Sequence, residues 1–142
     1  MSDAKSVKNT ESQDGVKPVI LVVDDEETIR FCLKEALEVE GYKVHTEDNG
    51  ENSLRSIKKM IPDLVILDLK MPGMNGLDLL REIKSYDQNI LVILLTGHAS
   101  VDSAVNAMKD GAFDYLEKPF KMDLIKVVIE KALSTQSLMR EV

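Results

Sequence analysis

Val19-Ile20-Leu21-Val22-Val23-Asp24-Asp25 and Leu64-Val65-Ile66-Leu67-Asp68 decide the architecture of this chain. Each is a short apolar run, rich in β-branched residues, that ends abruptly in aspartate. Continuous apolar runs of this length suit strands buried on both faces of a parallel sheet. In open α/β sheets, functional groups collect beyond the carboxyl ends of the strands. If the two strands are neighbours, Asp24, Asp25 and Asp68 converge on one patch. Carboxylates held that close repel unless a cation bridges them. The pattern therefore points to a divalent metal.

Working outward, strand and helix signals alternate five times from Pro18 onward. After the first strand, Ile29, Leu33, Ala36 and Leu37 mark the inner face of a helix, with Gly41 where a C-terminal cap belongs. Tyr42, Val44 and Thr46 suggest a weaker second strand. Leu54, Ile57 and Ile61 give a second helix, stopped by Pro62. The third strand covers 64–67, and the loop Met71-Pro72-Gly73-Met74-Asn75-Gly76 leads into a helix with Leu77, Leu80 and Ile83 inward. Ile90 to Leu95 is the longest apolar run and reads as the central strand. It ends at Thr96-Gly97 and is followed by a helix with Val101, Ala104, Val105 and Met108 inward. Tyr115-Leu116 forms a short fifth strand, broken by Lys118-Pro119. A last helix carries Leu124, Ile125, Val128, Ile129, Ala132 and Leu133. Such alternation with short connections argues a doubly wound parallel sheet covered by helices on both sides.

Composition bounds the function. The chain has 142 residues, 44% of them hydrophobic and 4% aromatic, so one aliphatic core is expected with room for tails. A net charge of −7 argues against direct nucleic-acid binding. The single Cys32 excludes an internal disulfide, fits a reducing compartment and reads as a core thiol on the first helix. No apolar stretch approaches a membrane span or a signal-peptide core, so the expectation is a soluble cytoplasmic protein without membrane contact. Residues 1–17 read as a disordered leader, 18–133 as the folded domain, and 134–142 as a polar tail or helix extension.

Four of the five strands end in a polar residue of distinct chemistry: Asp24 and Asp25, Asp68, Thr96, and Lys118. Carboxylate oxygens suit Mg²⁺, which keeps water and phosphate oxygens in its shell. A hydroxyl and an ammonium nearby would bind the remaining oxygens of a phosphoryl group. A carboxylate can itself attack phosphorus, giving an aspartyl-phosphate. Asp68 is the candidate nucleophile because it stands alone at its strand end.

Leu21-Val22-Val23-Asp24-Asp25-Glu26, Leu67-Asp68-Leu69-Lys70-Met71-Pro72-Gly73-Met74-Asn75-Gly76, Leu95-Thr96-Gly97 and Tyr115-Leu116-Glu117-Lys118-Pro119-Phe120, in this order, resemble the receiver domain of two-component response regulators over about residues 18–133. The resemblance implies a flavodoxin-like (βα)5 fold with strand order 2-1-3-4-5. It implies that Asp68 accepts phosphate from a sensor histidine kinase or a phosphotransfer protein. Asp25 and Asp68 would bind Mg²⁺ directly, with Mn²⁺ as the alternative ion, Asp24 through water, and the Lys70 backbone carbonyl as a further ligand. Lys118, with a cis bond to Pro119, would pair with Asp68 and then with the phosphoryl group. Thr96 would donate its hydroxyl to a phosphoryl oxygen, and Tyr115 would turn inward as Thr96 moves. The switched surface would comprise the fourth helix, fifth strand and fifth helix, a face that would also serve for homodimerisation. His45 and His98 are read as bystanders, although His98, just past Thr96, stands where it would tune phosphate loss.

A phosphohydrolase of the haloacid-dehalogenase type needs a second aspartate where this chain has Lys70. A nucleotide module would need a glycine-rich loop that is missing. The reading is a switch, not a turnover enzyme: either a stand-alone receiver or the first domain of a longer regulator. The stretch Ala104–Phe120 is similar to receivers that precede σ54-activating ATPase domains and would imply an output in transcription.

Overall fold

The structure is a computed structural model and describes residues 16–71, 73–97 and 101–141. The leader expected over 1–17 falls, up to residue 15, outside the described residues, as do Pro72 and His98. Five strands and five helices alternate: β1 (Val19–Val23), α1 (Glu27–Val39), β2 (Lys43–Glu47), α2 (Gly50–Met60), β3 (Leu64–Asp68), α3 (Gly76–Tyr86), β4 (Leu91–Thr96), α4 (Val101–Lys109), β5 (Asp114–Glu117) and α5 (Met122–Glu141). The strands form one sheet in the order β2-β1-β3-β4-β5. Every pairing is parallel, as expected from the sequence.

Side chains alternate across this sheet because successive strand residues face opposite sides. Ile20, Val22, Ile66, Ile93 and Leu95 pack with Leu33 and Leu37 of α1 and with Ile125, Val128, Ile129 and Ala132 of α5. Leu21, Val23, Val65, Leu67, Val92 and Leu94 pack with Ile57 of α2, Leu79, Leu80 and Ile83 of α3, and Ala107 of α4. The three inner strands thus supply both cores, which is why their sequences lack a polar face.

Several expectations about helix faces are corrected. Val105 and Met108 of α4 are 44% and 48% exposed, and among the side chains described there, which do not include that of Val101, the buried one is Ala107. On α5, Leu124 is exposed while Ile125 is buried. In both helices the apolar residues span more than one face, so periodicity admits two phases; packing selects the phase that lets the helix lie close to the sheet. Cys32 is exposed, off the face of α1 that buries Leu33 and Leu37. Ile61 is the C-cap of α2, with φ 47° and half its surface in solvent. Pro62 disfavours the α conformation of the residue before it, so the chain leaves the helix at Ile61.

The last helix runs on to Glu141 without a break. Gln136, within the stretch read as tail, is buried at the N-terminal end of the sheet. Its Nε2 donates to the carbonyls of Asp63 (2.9 Å) and Asn89 (3.1 Å), in the loops entering β3 and β4.

Candidate functional site

Strand register sets the site. Val23 lies beside Leu67, Asp68 beside Leu95 and Thr96 beside Glu117, so the residues that follow β1, β3, β4 and β5 share the C-terminal edge. Carboxylate oxygens of Asp24, Asp25 and Asp68 lie within 4.8 Å of one another. Asp24 and Asp68 are buried and Asp25 faces solvent.

Each acid is fastened by local geometry. The N–H of Asp24 donates to Glu47 O at 3.2 Å. Its Oδ1 accepts from the Glu26 N–H at 2.9 Å, and Arg30 Nη1 donates to its carbonyl at 2.7 Å. Asp68 Oδ1 accepts from the Lys70 N–H at 3.2 Å. The loop beyond Asp68 closes where the Gly76 N–H donates to Leu69 O at 3.0 Å. A β-carbon on Gly76 would lie 2.6 Å from Leu69 Cα, so only glycine lets helix α3 start this close. Asn75 caps that helix, its side chain accepting from the Leu77 N–H.

Lys118 enters from beyond β5. Its backbone N–H donates to Thr96 O at 2.7 Å, and its bond to Pro119 is cis. The ammonium lies 2.8 Å from Asp24 Oδ2, 3.1 Å from Glu26 Oε1 and 3.3 Å from Asp68 Oδ2. Thr96 is fully buried at the end of β4. Tyr115 is half-buried and packs against the α2–α3–α4 side of the sheet. The site residues expected from the sequence therefore occupy one edge, with Lys118 joining the acids directly.

Burial, and then the charge of Asp24, push the Asp68 carboxyl up to about 6, against the opposing pull of Lys118 and the Lys70 N–H. Burial works to lower the Lys118 ammonium, but hydrogen bonds and charge from Asp24, Glu26 and Asp68 outweigh it and hold the group above its usual value. One cation cannot neutralise four carboxylates. Asp24 Oδ2 is buried without a well-aligned hydrogen bond. An all-oxygen donor set carrying more negative charge than one ammonium can offset fits a small hard dication.

Two contributors went unassigned in the sequence, Glu26 and Arg30. Glu26 was visible as the third acid of Asp24-Asp25-Glu26, but nothing local says that it reaches Lys118 across 92 residues of chain. Arg30 acts through its guanidinium on a backbone carbonyl, which no motif advertises.

An acidic, cation-ready edge on a doubly wound sheet of this order defines a class of small α/β domain. Residues 20–130 match the response regulator receiver domain family, and the chain belongs to that family. The DNA-binding transcriptional regulator NtrC of Escherichia coli (strain K12) is 41% identical over 116 residues, which cover 82% of this chain and 25% of NtrC. The chain spans about a quarter of the length of the curated relatives it matches. A receiver domain protein from Clostridium thermocellum has a crystal structure similar at TM-score 0.82 and 41% identity, over 86% of this chain and 98% of that one. The beryllofluoride-activated NtrC4 receiver domain dimer is similar at TM-score 0.80 and 38% identity, over 83% of this chain and 98% of that one.

Proposed function

We propose that Asp68 is the phosphoryl acceptor of a signalling switch, fed by a sensor histidine kinase or a phosphotransfer protein. The observation that carries this is a buried carboxylate, unique at its strand end, held between one lysine and two further acids. An Asp68 carboxylate oxygen attacks phosphorus, the bond from phosphorus to the donor breaks, and the donor leaves with that electron pair. Asp24, Asp25, Asp68 and the Lys70 carbonyl would hold Mg²⁺, or Mn²⁺ in its place, with Asp24 acting through water. When bound, the ion neutralises charge shared between the acids and the phosphoryl oxygens.

Lys118 and Thr96 are the groups that then read the product. Their contacts with the phosphoryl oxygens exist only after transfer and bias a two-state equilibrium by that difference. Thr96 moves toward the group, Tyr115 follows inward, and the surface of α4, β5 and α5 changes shape. The exposure of Val105, Met108, Leu124 and Val127 supports that face as the place where a second copy or an output domain docks. The NtrC4 dimer supports homodimerisation, and the likeness to NtrC supports an output in transcription. The domain turns over no separate substrate and works in the cytoplasm. Among the described residues no helix is long and apolar enough to cross a membrane.

Incubation with acetyl phosphate and Mg²⁺ followed by intact mass tests the reading. One added phosphate is expected, lost in Asp68→Asn. Labelling of Asp68→Asn at the wild-type level would remove the acceptor from this role.

A further inference from the structure

The Lys118 ammonium has three N–H donors and three carboxylate neighbours. Two of these, Asp24 and Asp68, belong to the acid cluster. The third, Glu26, lies at the start of α1, outside that cluster, and approaches Lys118 more closely than Asp68 does, 3.1 Å against 3.3 Å. Its side chain is 60% exposed, whereas that of Lys118 is 14% exposed. Glu26 thus covers the solvent side of a cation whose other neighbours are buried. Its backbone is tied to the same place, because its N–H donates to Asp24 Oδ1. Arg30, one helical turn later, bonds the Asp24 carbonyl. The Glu26 carboxylate thus lies 3.1 Å from an ammonium that is itself 3.3 Å from the acceptor carboxylate.

We propose that Glu26 is a positioning residue for phosphoryl transfer: it occupies one N–H of Lys118, so that Lys118 gives up this contact to bind a phosphoryl oxygen. The inference rests on Asp68 being the acceptor. Two things follow from the geometry. Before transfer, Glu26 holds the ammonium at the mouth of the site, where an incoming anionic donor arrives. After transfer, the energy of the Glu26–Lys118 pair is subtracted from what the Lys118–phosphoryl contact contributes to the switched state. Both partners gain only modestly from an exposed pair, so the effect is a tuning of the equilibrium and not an on–off control.

The test is a double-mutant cycle on beryllofluoride binding in the presence of Mg²⁺, with Glu26→Gln, Lys118→Ala and both together. Glu26→Gln is expected to bind about two- to fivefold tighter than wild type, the range an exposed ion pair supports. That gain should vanish in the Lys118→Ala background. A gain of equal size with and without Lys118 would overturn the proposal, since it would come from repulsion at a distance. The Lys118 side-chain NMR signals of the metal-free protein give a second readout if the Lys118→Ala variants bind too weakly to measure. They should shift in Glu26→Gln, and unchanged signals overturn the proposal. The acceptor assignment is judged apart: Asp68→Asn must lose the acetyl phosphate adduct in every background, whatever Glu26 does.

Discussion

Replacing Gln136 by alanine should loosen the base of the domain, far from the acid cluster. Gln136 is 6% exposed and its Nε2 donates to two backbone carbonyls, at 2.9 Å to Asp63 and 3.1 Å to Asn89. A hydrogen bond of this kind is worth about 0.5–1.5 kcal/mol net, so losing both removes about 1–3 kcal/mol. Alanine returns a few tenths of a kcal/mol through its helix propensity, which leaves a loss of about 1–2.5 kcal/mol. Urea unfolding of Gln136→Ala, with the exposed Ser137→Ala as the control, measures it directly. Gln136→Glu sharpens the argument, because a carboxylate there would face two carbonyl oxygens with no donor. It should be less stable than Gln136→Ala at neutral pH. That glutamate would have a folded pKa raised above its unfolded one, so its deficit should shrink as pH falls through the raised value and the neutral carboxyl regains a donor. If Gln136→Ala matches Ser137→Ala, or if Gln136→Glu is no worse than Gln136→Ala at neutral pH, the clasp contributes nothing.

Two further outcomes are expected. In metal-free protein Asp68→Asn should be more stable than wild type at neutral pH, by about 1–2 kcal/mol after allowance for solvent screening. The Asp68 carboxyl is raised from 3.8 to about 6 in the fold, so its stabilising effect is present below pH 4 and lost as pH rises through 6. The advantage of asparagine should therefore vanish at acid pH, and denaturant curves at several pH values that show a constant gap would contradict this. Gly76→Ala should destabilise by about 2–4 kcal/mol although alanine favours helices by about 1 kcal/mol, because its β-carbon meets the Leu69 backbone at 2.6 Å; a variant within 0.5 kcal/mol of wild type, roughly the scatter of surface substitutions, would show that the loop yields freely.

The inner strands were legible in the sequence because burial on both faces leaves no polar positions, and the site was legible because strand ends place their last residues on one edge. Helix phase was harder. In α4 the choice between Val105 with Met108 and Ala107 depends on how closely the helix approaches the sheet, which periodicity does not carry. Cys32 likewise follows the phase of α1, where Leu33 and Leu37 take the inside. Ile61 continues an apolar pattern whose helix ends for a backbone reason. Glu26 and Gln136 act through contacts with residues distant in the chain, and neither belongs to a local pattern.

Helix α4 keeps only one described residue, Ala107, fully buried against the sheet. An alanine removes little apolar surface from water, so this helix has little burial energy to lose when it shifts or frays. Charge-assisted hydrogen bonds at the site are worth about 1.5–3 kcal/mol, a small sum beside the stability of the whole sheet but comparable to what one lightly anchored helix holds. Amide hydrogens of α4 should accordingly exchange faster than those of β3 and β4, through local openings that leave the rest of the domain closed. This lightly anchored helix is also the one that joins β4, which ends in Thr96, to β5, which leads to Lys118.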